Sequence, residues 1–232
     1  MTEEQLELLA EDLGVPVESL PPQARVRYNI APTNEHFIVV EQNEVREAVP
    51  ARWGLVNSWA KDAKRAAMQI NARAETIERT PAFRQAFQKR RCLVPATGFF
   101  EWAGPKESRQ PTWFHRPDDR LILFAGLYEL WMPAPGTWQR TFTIVTTGAN
   151  GVVAPIHDRM PAVLAGEAAG LWIDPNHPDP QALLGLLGPA PERLLVARRV
   201  SPLVNSVRND FAAVLEEAGP PEPAGEANLR LL

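Results

Sequence analysis

The stretch Pro95-Ala96-Thr97-Gly98-Phe99-Phe100-Glu101-Trp102 constrains the fold of this chain more than any other. Phe99, Phe100 and Trp102 read as a strand that demands burial on at least one face. A single carboxylate, Glu101, interrupts them. Burying it without a partner costs about 1–3 kcal/mol on mutational scales, and more if it stays charged. Either Glu101 stands at a strand end with its carboxylate in water, or it is desolvated. A desolvated Glu has its pKa pushed upward, toward the range where it exchanges protons at neutral pH.

Around this stretch the chain reads as many short strands and a few helices. Thr2 and Gln5 fit a capping box for a helix whose Leu6, Leu9 and Leu13 share a face and which Gly14 stops. Residues 37–40 and Val45–Trp53 are strands, with Gln42-Asn43 as a two-residue turn. Residues 60–69 are polar, basic and aperiodic, a loop. Thr80-Pro81 begins a helix in the N-cap and N1 manner, with Phe83 and Phe87 four apart. Further strands fall at 92–95, 99–102, 112–115, 121–131, 141–147, 163–164 and 194–200, and residues 148–155 form a loop or short helix. Short helices cover 167–173 and 181–187. With no internal repeat and no βαβ rhythm, the pattern predicts an α+β class: a single β-rich domain with short peripheral helices over residues 1–218. Residues 219–232 are Pro-rich and charged, a flexible tail.

Net charge is −4 over 232 residues, which argues against indiscriminate binding to nucleic acid. The charge is uneven. Residues 61–91 carry nine Lys and Arg against Asp62, Glu75 and Glu78, a net of +6. That suits either a phosphate-backbone groove or an ordinary solvated face. No apolar run approaches the roughly 20 residues that span a bilayer. The N-terminus has no basic-then-apolar leader. The lone cysteine, Cys92, excludes an intramolecular disulfide and points to a reducing, cytoplasmic compartment, nucleoid-associated if the source is bacterial.

His36, His115, His157 and His177 are scattered without metal-ligand spacing, and no phosphate loop, dinucleotide fingerprint or nucleophile elbow occurs, so neither metal nor cofactor is expected. Polar residues in apolar or turn settings remain. His157, before Asp158-Arg159, is a general acid/base or a histidine satisfied by its own turn. Asn71 follows an apolar Ile and either braces a loop or orients a reactant. Arg73 and Arg159 can hold phosphates bidentately. Trp53, Trp59 and Trp102 can stack on unpaired bases, with core packing the alternative for at least two of them.

Five motifs occur in order: Arg27-Tyr28-Asn29-Ile30-Ala31-Pro32, Trp53-Gly54-Leu55, Ile70-Asn71-Ala72-Arg73-Ala74-Glu75-Thr76, Gly98-Phe99-Phe100-Glu101-Trp102 and Ile156-His157-Asp158-Arg159-Met160-Pro161. Together, over residues 25–208, they resemble the SOS-response-associated peptidase (SRAP) family of abasic-site processing proteins. The resemblance implies a β-rich domain with a basic channel for single-stranded DNA. Its active site crosslinks to the aldehyde of an abasic site. It implies Asn71, Glu101 and His157 as catalytic residues: Asn71 orienting the N-terminal nucleophile, Glu101 the acid/base for condensation, His157 moving protons at the sugar. Arg73 and Arg159 would hold phosphates. Trp59 and the Asn29–Pro32 loop would line the groove.

One departure stands out. The family's nucleophile is a cysteine directly after the initiator methionine, whose amine and thiol close a thiazolidine on the aldehyde once the methionine has removed itself. Here Thr2 occupies that place, and the first helix begins at once, so the nucleophile segment is missing. Three expectations follow. In the first, the true start lies upstream and the native protein crosslinks. In the second, the chain binds damaged single-stranded DNA without a covalent bond. In the third, Cys92 and His157 make a thiol hydrolase, which needs Cys92 exposed and acidified.

Overall fold

The computed structural model describes residues 3–24, 27–105 and 108–219. Helix α1 (Glu3–Leu13) buries Ala10 and Leu13. It stops at Gly14, whose φ of 65° lets the Gly14 and Val15 N–H groups return to the carbonyls of Glu11 and Ala10 at 3.1 and 3.0 Å. Thr2 of the expected capping box and most of the expected tail lie outside the described residues.

Strands β1 (Glu35–Gln42) and β2 (Val45–Trp53) form the first hairpin. Its turn is Asn43-Glu44 rather than Gln42-Asn43: both residues have positive φ, 51° and 62°, and Gln42 pairs with Val45. A two-residue turn of this hand matches the right-handed strand twist. After β2 come β3 (Asn71–Arg73), helix α2 (Arg84–Lys89) and strand β4 (Arg91–Ala96). Helix α2 starts later than Thr80-Pro81 predicts. The Thr80 hydroxyl turns back and donates to the Thr76 carbonyl at 2.9 Å, so it does not cap the helix.

The long pair β7 (Ile122–Ala134) and β8 (Thr137–Gly148) closes the architecture. Strands β7, β4, β1, β2 and β8 are joined in that order, and β8 pairs again with β7, so the sheet rolls into a barrel. Past the barrel, β8 carries β3 on one edge and β9 (Arg159–Pro161) on the other, while β10 (Val163–Leu164) adds to β7. Strand β9 falls within the His157 motif, where a strand was not expected.

Period-two alternation sorts the apolar residues. Ile38, Val40, Cys92, Val94, Phe124, Tyr128, Phe142 and Ile144 fill the interior. Val39, Leu93, Ala125, Leu127 and Val145 point outward, where α1, Phe87 of α2 and Trp172 of helix α3 (Glu167–Ile173) cover them. Helix α4 (Pro180–Gly185) adds Leu183 to that layer and is capped by Asp179.

Arg91 fastens this helical layer to the barrel. It is buried, and its guanidinium donates to the carbonyls of Phe87 and Gln88 at the end of α2, and of Trp172 and Asp174 at the end of α3. A cation there satisfies carbonyls that both helix ends leave unpaired.

A second sheet, β11-β6-β5, lies against the barrel: β5 (Gly98–Ala103), β6 (Gln110–His115) and β11 (Val196–Arg199). Only Thr97 separates β4 from β5. Gly98 is required where the two sheets meet, because a Cβ there would collide with the Trp113 indole and the Phe114 carbonyl.

Candidate active site

Phe99 of β5 stacks on Phe114 (5.1 Å between ring centres) and meets Phe124 edge-on at 5.9 Å. Its face of β5 therefore looks at the barrel. Phe100 and Trp102 point the other way, into a small core with Trp113, Val200, Val204 and Val214. Alternation puts Glu101 on the barrel-facing side with Phe99. Of the two settings open to Glu101, the structure selects the half-buried one. Burial pushes its carboxyl above the usual range, His157 opposes that shift, and Asp158 adds to it.

His157 arrives from a segment that winds through successive turns between β8 and β9. Asn150 caps this segment: its Oδ1 accepts from the Val152 and Val153 N–H groups at 3.2 and 3.1 Å, and its amide donates to the Ala190 carbonyl at 2.9 Å. The His157 N–H then closes on the Val153 carbonyl at 3.0 Å. The ring's Nδ1 accepts from the Arg159 N–H at 3.0 Å and lies 4.0 Å from Glu101 Oε1. The turn thus satisfies one ring nitrogen of His157, and the same ring faces a carboxyl. The same Nδ1 also lies 3.1 Å from the Arg159 carbonyl, so which ring nitrogen carries the proton depends on the tautomer. A carboxyl and an imidazole this close can pass protons to and from a group placed beside them.

The C-terminal part of β8 assembles the other candidates. Asn71 pairs with Ile144 and Arg73 with Thr146, while Ala72 between them is buried in the outer core. Asn71 and Arg73 are consequently exposed on the face opposite Ala72. Arg159 pairs with Gly148 on the other edge of β8. Its guanidinium grips Glu75 with two hydrogen bonds of 2.6 and 3.0 Å and donates to the Thr146 carbonyl at 2.6 Å.

The tryptophans divide. Trp53 stacks on Phe142 and donates to the Ile70 carbonyl at 2.9 Å, and Trp102 donates to Asn205 Oδ1 at 2.7 Å. Both are packed, whereas Trp59 is 68% exposed. Asn29 is buried. Its amide donates to the carbonyls of Val204, Ser206 and Asn209, and Asp210 in return accepts the Tyr28 and Asn29 N–H groups at 2.6 and 3.0 Å. Any contact of this loop with a ligand falls to residues such as exposed Pro32, not to the Asn29 side chain.

Two readings need correction. The basic window 61–91 is less of a surface than its composition suggests, since Arg91 is buried in its carbonyl socket and Arg90 pairs with buried Glu129 at 2.7 Å. Cys92 is fully buried inside the barrel, and burial pushes its thiol well above its ordinary value. The thiol hydrolase required the opposite and is set aside. Sequence reasoning assigned no role to Asn150 or Glu75. Asn150-Gly151 carried a turn signal, and Glu75 was an acid inside a basic run, but neither had a visible partner.

Among the described residues no group of three or more His, Cys, Asp or Glu is placed to hold a metal ion, and no helix is long and apolar enough to cross a membrane.

Residues 1–207 match the model of the SOS response associated peptidase (SRAP) family. The chain is 38% identical over 191 residues to the abasic site processing protein YoqW of Bacillus subtilis, covering 82% of this chain and 85% of that protein. To the abasic site processing protein YedK of Escherichia coli it is 31% identical, covering 92% and 94%. The rat abasic site processing protein HMCES is 31% identical, with 79% of this chain and 60% of that protein covered. A crystal structure from Bacteroides thetaiotaomicron superposes with a TM-score of 0.72 at 28% identity over 80% of this chain and 82% of that one. One from Bordetella bronchiseptica gives 0.70 at 26% over 84% and 95%. With the family model matched over residues 1–207 and relatives 31–38% identical over most of its length, this chain belongs to the SOS response associated peptidase family.

Proposed function

We propose that this protein binds single-stranded DNA at an abasic site and processes the exposed sugar aldehyde, with Glu101 and His157 as its proton-handling pair. The observation that carries this reading is their juxtaposition: a carboxyl raised by burial, 4.0 Å from an imidazole, on a half-exposed rim. Exposed Arg73 and Trp59 suit a phosphate and an unpaired base. Asn71 is exposed, and its amide has no hydrogen-bond partner among the described residues, so it is available to a reactant.

In its covalent form the reaction closes a thiazolidine. An N-terminal amine and thiol both add to the aldehyde carbon, and the carbonyl oxygen leaves as water. The amine and the thiol each give up one proton, and both leave on that water: Glu101 in its neutral form protonates the departing oxygen and as carboxylate is reprotonated by the amine, while the thiol supplies the second proton. His157 assists opening of the sugar ring. The sequence contains no N-terminal cysteine, and Cys92, internal and buried, supplies neither an amine nor a reachable thiol.

The test is a denaturing gel with single-stranded DNA bearing one abasic site, run beside a native gel. The chain as given is compared with a version extended upstream in its natural reading frame. The expected result is binding by both and a denaturation-resistant band with the extension. Binding without such a band from either protein favours a non-covalent damage binder. No binding by either overturns the proposal.

A further inference from the structure

Arg159 presents a difficulty for any role in holding DNA. Both of its terminal nitrogens already grip Glu75, and the Thr146 carbonyl takes a further hydrogen. Its Nε is buried and has no partner. With Glu75 in place, the guanidinium has one N–H left on Nη1 for a phosphate oxygen, out of five.

The two halves of this pair are not equally held. The Arg159 side chain is 20% exposed and pinned by Thr146 at its base, whereas Glu75 is 53% exposed on a short turn after β3. Besides Arg159, only the Glu75 backbone N–H bonds the Glu75 carboxylate among the described residues, and Arg73, on the adjoining strand, adds to the field that holds it ionised. The carboxylate is the half that can swing away. What it would vacate is a planar two-pronged cation, the geometry that suits carboxylate and phosphate alike. Exposed Arg73 is its neighbour, and β8 sets the spacing of the two arginines through Thr146 and Gly148.

We propose that Glu75 occupies the phosphate seat of Arg159 in the free protein, and that a DNA phosphodiester docks there by displacing it. Glu75 is then a threshold-setting residue. It keeps a two-arginine cradle half neutralised until a backbone with phosphates at the right spacing competes for it. This rests on the DNA-binding reading above and adds to it a residue that opposes binding.

The experiment measures binding of a fluorescent single-stranded oligonucleotide without an abasic site, so that no chemistry enters, across a range of salt. Glu75→Gln is expected to bind about two- to fivefold more tightly at low salt, the worth of a partly exposed ion pair. Its plot of log K against log salt should steepen, because no displaced carboxylate is left to take up a counterion and offset those that the phosphates release. Arg159→Gln should bind more weakly than wild type, and adding Glu75→Gln to it should change nothing. Equal or weaker binding by Glu75→Gln, with wild type binding normally, overturns the inference and makes Glu75 a group that orients Arg159. Failure of the wild type itself to bind defeats the underlying DNA reading instead.

Discussion

Strands β4 and β5 are neighbours in sequence, parted only by Thr97, yet they lead opposite chemical lives. All of β4 from Arg91 to Pro95 is buried, while every residue of β5 is half-buried. Each carries one group of possible reactivity. In β4 it is Cys92, closed in so tightly that a Cβ added at Gly126 would come within 2.8 Å of its sulfur. In β5 it is Glu101, with apolar neighbours along its strand and an imidazole across from it. Full burial silences the thiol. Half-burial shifts the carboxyl without cutting it off from a reactant. Under the proposed function, reactivity follows the depth of the strand rather than the intrinsic nucleophilicity of the side chain.

The comparison breaks most severely at Arg91, which opens β4. Replacing it with Met keeps the volume but leaves the carbonyls of Phe87, Gln88, Trp172 and Asp174 without their shared donor. The expected loss is about 1–3 kcal/mol for each carbonyl left buried and unsatisfied, read as a lower denaturant midpoint with an unchanged slope. Arg91→Lys should recover little, because a point charge cannot reach carbonyls on two helices. A loss below about 1 kcal/mol would mean that the helical layer is held by apolar packing alone.

The opposite behaviour is expected of β5. A carboxyl held above its ordinary value stabilises the fold in its neutral form. That contribution is complete below the unfolded value of about 4.3 and is lost as pH rises through the folded value. Glu101→Gln stays neutral throughout. Its melting temperature should therefore exceed that of wild type at pH 7, and the difference should close as pH falls toward 4. In the same variant, processing of an abasic site by the reading-frame-extended protein should slow by about 100-fold or more. Stability rising while rate falls would mark a group maintained for chemistry. Both falling together would make Glu101 structural.

Local rules made the strands legible: apolar, β-branched and aromatic runs bounded by turn signals located β2 and much of β7 and β8, and the carboxylate among aromatics singled out Glu101 as a candidate. What they could not supply was partnership. Arg90 and Arg91 looked like part of a basic face because a sequence does not say which cations meet carbonyls or a buried Glu129. The break at Thr97, where the chain passes from barrel to second sheet, resembles any bend. Asn29 read as a groove residue, yet its amide is fixed by three carbonyls some 175 to 180 positions away. Each of these depends on contacts distant in sequence, where pattern and propensity carry no information.

The finest test of the contrast lies one layer behind Glu101, at Asn150. Its side chain is buried, caps the segment that delivers His157, and ties that segment to Ala190. Asn150→Ala should cost about 1 kcal/mol, as a lost cap does. Asn150→Asp keeps the acceptor, loses the donor to Ala190, and should fall between. Stability alone would not separate a positioning role from a merely structural one, so the decisive readout is the pH dependence of the rate. His157 lowers the Glu101 carboxyl against the rise caused by burial. If loosening Asn150 lets His157 drift away, Glu101 should titrate higher still, and the Glu101-controlled limb of the profile should move to higher pH. A destabilised variant with its profile unmoved would show that the His157 turn holds its place without Asn150, and that the half-buried rim owes its geometry to β5 and β9 alone.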